Sequence, residues 1–107
     1  MTEMIYQFVE PFEKVIKDFY SVENNNSIEL INDENQKVRF EQVALIPINN
    51  SHYMILLPID KMEGVGENEG VIFEIKTLAG VGKCLSFVLE PEVVDIVFAE
   101  YERLSNL

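Results

Sequence analysis

The chain has 107 residues, enough for one domain with a modest single core, and an apolar fraction of 48% excludes wholesale disorder. Its 19 acidic residues against 8 basic ones give a formal net charge of −11, which repels nucleic-acid backbones, anionic membranes and phosphate-rich ligands and attracts basic partners. A single cysteine, Cys84, excludes an internal disulfide.

The N-terminal stretch lacks the shape of a signal peptide, because Glu3, Glu10 and Glu13 interrupt it. No apolar run approaches the roughly 18–20 residues of a membrane span. The expectation is a cytoplasmic protein, in which the sequons at Asn25-Asn26-Ser27 and Asn49-Asn50-Ser51 carry no weight.

From Ile5 to Val22 the apolar residues fall at 5, 8, 9, 12, 15, 16, 19 and 22, the spacing of an amphipathic helix. Pro11 interrupts it. In a helix interior proline costs about 3 kcal/mol, whereas at the first turn it is favourable. Either the helix kinks there, or Glu10-Pro11 opens a helix and 4–9 is something shorter. The reading taken is an N-terminal helix over 1–22, with 11–22 its main part and 3–10 helical as well. The helix is expected to pack on the domain's own sheet or to reach a second subunit through Ile5, Phe8, Phe12, Val15 and Phe19, the candidate interface.

Residues 23–27 carry no period and read as a linker. Ile28 to Ile31 alternates as a strand, and 32–36 is a turn with Asn35 as the left-handed residue. Lys37 to Ile48 reads as a long strand whose phase slips. Val38 and Phe40 alternate with Arg39 and Glu41, after which Val43 to Ile46 are all apolar. A β-bulge near Glu41-Gln42 produces such a slip.

The centre of the pattern is Tyr53-Met54-Ile55-Leu56-Leu57, closed by Pro58 and Asp60. A run of that kind reads as a strand buried on both faces. An acidic, glycine-containing loop follows over 60–70, then strands over 71–76 and 84–89 joined by a turn at 78–83. Glu90-Pro91-Glu92 opens the last helix, over 90–105, whose apolar face is Val94, Val97, Phe98, Tyr101 and Leu104.

No pattern of catalytic chemistry emerges. Thr77 to Cys84 has the glycines and lysine of a phosphate-binding loop, but Thr77 stands in place of the first glycine. Cys84 also stands where a hydroxyl belongs, and a strand follows instead of a helix, so a hairpin turn is the better reading. The glycines of 64–70 lie among Glu63, Glu67 and Glu69, which repel a pyrophosphate. His52, the only histidine, could pair with Cys84 as base and nucleophile only if their strands were adjacent, and in a simple meander the 71–76 strand separates them. Asp33-Glu34-Asn35 and the 60–70 carboxylates lack the spacing of a calcium loop. No metal or other cofactor is expected.

The phrases Ile28-Glu29-Leu30 with Asp33-Glu34, Phe40-Glu41-Gln42-Val43, Tyr53 to Asp60, Val71-Ile72-Phe73 and the final helix around Glu92, Val97 and Tyr101 resemble the YrzB-like family of small acidic bacterial proteins, across residues 28–104. Asn35 stands where such proteins often carry glycine. The resemblance implies a cytoplasmic bacterial protein, from a Gram-positive organism, and supplies no catalytic residue.

The expected fold is a single α+β domain. A five-stranded, mainly antiparallel meander over 27–89 carries the C-terminal helix on one face, with the N-terminal amphipathic helix beside it. The expected function is a non-enzymatic protein-interaction module, self-associating because two helices must otherwise cover a sheet apolar on both faces. The alternatives are an acidic mimic that occupies a basic or nucleic-acid-binding protein, and a small-ligand or enzymatic domain with a pocket between helix and sheet.

Overall fold

The computed structural model describes residues 4–19, 27–60 and 69–106. Its elements run β1 (Ile5–Phe8), α1 (Phe12–Phe19), β2 (Ser27–Ile31), β3 (Lys37–Ile48), β4 (Ser51–Pro58), β5 (Val71–Leu78), β6 (Gly82–Phe87) and α2 (Pro91–Ser105). The strands form a closed barrel in chain order, each pair antiparallel, with β1 hydrogen-bonded to both β2 and β6. The five-stranded meander is thereby corrected to a six-stranded barrel. An even number of strands lets the first lie antiparallel to the last, and closure removes both open edges of the sheet.

The strand that closes it comes from the stretch expected to begin the N-terminal helix. Ile5-Tyr6-Gln7-Phe8 is extended, with Tyr6 opposite Leu85 and Gln7 opposite both Cys84 and Ile31. Pro11 ends this extended stretch, and the Pro11 carbonyl accepts from the Lys14 and Val15 amides at 3.0 and 3.1 Å to start α1. The expected N-terminal helix over 1–22 is thereby corrected: residues 5–8 are strand, and the helix, begun by Pro11, spans only Phe12–Phe19 among the described residues. The stretch 20–22 of the expected helix lies outside the described residues.

The barrel interior is filled with large side chains. Tyr6, Ile28, Leu30, Phe40, Met54, Leu56, Val71, Phe73 and Leu85 form one core, and Val15 of α1 packs into it. Phe73 is its hub, edge-on to Tyr6, Phe40 and Phe87 at centroid distances of 5.0, 5.6 and 5.2 Å. Such contacts add about 0.5–1.5 kcal/mol per pair beyond area burial.

A second core lies outside the barrel wall. Ala44, Ile46, Ile55, Ile72 and Val88 are roofed by α2 through Val93, Val94, Val97, Phe98 and Tyr101. A register shift between Gln42 and Ala44 makes this possible. Before it, Val38 and Phe40 join the interior core; after it, Leu45 joins the interior while Ala44, Ile46 and Ile48 turn under α2. Val43, the extra residue, is exposed. Met54, Ile55 and Leu56 are all buried, so the central strand has two covered faces. Barrel closure covers one and α2 the other.

The turns follow local chemistry. Asn35 has φ 63°, and the Asn32 side-chain oxygen accepts from the amides of Glu34 and Gln36 at 3.0 and 2.9 Å, holding the β2–β3 turn. Gly80 and Gly82, at φ 80° and 91°, supply the left-handed backbone of the β5–β6 turn. Among the described residues no helix is long and apolar enough to cross a membrane.

Candidate functional site

The up-and-down order gathers the β3–β4 turn, the β5–β6 turn and α1 at one end of the barrel. A cavity of about 380 Å³ opens there between α1 and the strand ends. Its described lining is Phe12 and Ile16 from α1, Leu45 and Pro47 from β3, His52 from β4, Ile75 from β5 and Lys83 from β6. Phe12, Ile16, Leu45 and Ile75 are half-buried apolar side chains, whereas Pro47 and the two basic groups, His52 and Lys83, are exposed. The Lys83 ammonium stands 5.8 Å from the centroid of the Phe12 ring, close enough for cation–π attraction. Phe12 is in turn edge-on to Phe8 at 5.4 Å, which ties α1 to the closing strand.

The charge distribution at this end differs from that of the whole chain. Neither 43–59 nor 75–89 contains an aspartate or glutamate, although the chain has 19. Those two stretches supply five of the seven lining residues. Just before α1 the Glu10 carboxylate is engaged by Lys14 at 2.6 Å, and on α1 Glu13 and Lys17 are exposed.

The opposite end is polar and acidic. Asp33, Glu34, Asp60 and Glu90 lie there, with Arg39 clamping Asp60. The Arg39 guanidinium donates to both Asp60 oxygens, at 2.9 and 3.2 Å, and the Arg39 amide donates to one of them at 3.0 Å. These hydrogen bonds, the side-chain one first, hold the Asp60 carboxyl below its ordinary value and raise Arg39. Asp60, read from sequence only as the solvent end of a strand, thus pins the end of β4 to β3.

The candidate interface residues do not share one helical face. Ile5 and Phe8 belong to β1, Phe12 lines the cavity, and Val15 is buried in the barrel core. Phe19 ends α1, and its side chain lies outside the described part. His52 stands at the start of β4 opposite Pro47, whereas Cys84 is fully buried on β6 opposite Lys76, with β5 between them. Their nucleophile–base pairing is therefore not assembled. The glycine–lysine stretch is the β5–β6 turn, closed by the Val81 amide donating to the Leu78 carbonyl at 3.1 Å. Among the described residues no group of three or more His, Cys, Asp or Glu side chains is placed to hold a metal ion; Glu63 and Glu67 lie outside them.

In the sequence Lys83 and His52 stand 31 positions apart in unrelated motifs, and nothing local brings them together. The absence of acid from the two hairpins was the signal that could have done so. No family model, curated protein or solved structure matches the chain.

Proposed function

We propose that the chain is a non-enzymatic recognition module whose acidic exterior engages a basic partner protein. The observation that supports this reading is the charge balance at the surface. Cations are few, and Lys14, Arg39 and Arg103 are engaged by Glu10, Asp60 and Glu100 of the same chain. The remaining carboxylates, with a net charge of −11 behind them, present a field that draws a positively charged surface and speeds its approach. Membership of the YrzB-like family is part of the same proposal and rests on the phrases of 28–104.

Self-association is not needed to cover the central strand, because the barrel interior and α2 occupy both faces of β4.

The test is affinity capture from lysate of the source cells with salt elution, comparing the native chain with the variant Asp33→Asn, Glu34→Gln. Charge-driven complexes weaken as the screening length shrinks to roughly 3 Å at molar salt. The expected result is a set of basic proteins released by salt and depleted by the variant. Partners that hold at molar salt and ignore the variant overturn the reading.

A further inference from the structure

We propose that the cavity under α1 is a binding site for a small amphipathic anion, a saturated carboxylate of medium chain length. Its tail would lie among Phe12, Ile16, Leu45 and Ile75, with its carboxylate between His52 and Lys83. The inference is independent of the partner protein proposed above.

Size comes first. The volume of about 380 Å³ falls within the roughly 300–1,000 Å³ of small-molecule pockets, towards the lower end. Phe12, Ile16, Leu45 and Ile75 are half-buried and apolar, the pattern that buries a hydrocarbon chain, and the two polar groups of the lining, His52 and Lys83, are exposed. Such a division between half-buried apolar and exposed polar groups matches a ligand with one charged end.

Charge selects the sign of that end. Both charged or polar side chains of the lining are nitrogen donors, and no carboxylate contributes to the described lining. Beside the lining residues of α1, Glu10 is held by Lys14 and Glu13 is exposed. A cationic amphiphile would find no acceptor carboxylate in the described lining. A multiply charged anion would be opposed by the net charge of −11, which a single carboxylate meets only once. Lys83, already steered over Phe12, has no carboxylate partner among the described residues and is the natural counterion.

The experiment is an amide-detected NMR titration of the full chain with hexanoate, octanoate and decanoate, and with octanol and octylamine as neutral and cationic controls. The expected shifts centre on Phe12, Ile16, Leu45, His52, Ile75 and Lys83. The dissociation constant should fall about three- to fourfold per added methylene, as burial of each CH₂ implies. Lys83→Gln should weaken octanoate about fivefold, the upper range for an exposed ion pair, and leave octanol unchanged. Ile16→Glu, a half-buried site whose variant can be checked for native dispersion, should abolish octanoate binding. Absence of shifts in the native chain, shifts centred on α2, tighter binding of octylamine, or equal loss of acid and alcohol in Lys83→Gln would each overturn the proposal.

Discussion

Gln42 is 5% exposed, and its side-chain carbonyl oxygen has no hydrogen-bond partner among the described residues. It is the residue just before the register shift, opposite Leu56. An orphaned buried acceptor costs about 1–3 kcal/mol, so Gln42→Met, nearly conserving volume, should stabilise the chain by about that amount in urea unfolding. Two titrating groups should leave opposite marks on stability. The Asp60 carboxyl is held down by Arg39, so in the acid range the unfolded chain binds more protons than the folded one. Its contribution is present above the ordinary aspartate value, about 3.9, and is lost as pH falls through the lower folded value. Asp60→Asn should remove that part of the acid dependence of the urea midpoint. Tyr6 is pushed the other way, first by burial and then by the charge of Asp33. Its contribution is present below the ordinary tyrosine value, about 10, and is lost as pH rises through the higher folded value. Tyr6→Phe should flatten the alkaline limb of the same profile.

The elements differ in how far local pattern announced them. The last helix was readable because proline and glutamate mark its start and its apolar residues keep one spacing; only Leu104, expected on the packed face, is exposed, while Val93 joins it. Val97 is fully buried at the centre of that face, and Val97→Asp should cost about 4 kcal/mol or more, read by loss of the cooperative thermal transition. The bulge in β3 was readable because a period of two changes phase visibly over twelve residues. β1 was not. Four residues hold too little pattern to separate strand from helix, and the apolar positions 5, 8, 12 and 15 fit a helical wheel although they divide between a strand and a helix. Its identity depends on Leu30 and Leu85, partners far along the chain.

At the scale of the whole molecule, closure decides most of what the sequence left open. Six strands in chain order were nearly all legible one by one, but whether the sheet stays flat or joins its ends is a non-local matter. The cavity shares that fate, since Phe12, His52 and Lys83 come together only when β1 seats α1 across the barrel mouth. Deleting residues 1–9 should therefore expose the flanks of β2 and β6 as unpaired strand edges, which template association between chains. The expected outcome is concentration-dependent light scattering from the shortened chain and none from the full one.

The β1–β6 seam also has a history in time. Tyr6 is synthesised well before its neighbour Leu85 on the far side of the seam. Until then the opening strand has no second partner, and the aromatic hub around Phe73 lacks one of its walls. Contacts of such long sequence separation are slow to form. The step that completes this barrel is the meeting of its first strand with its last.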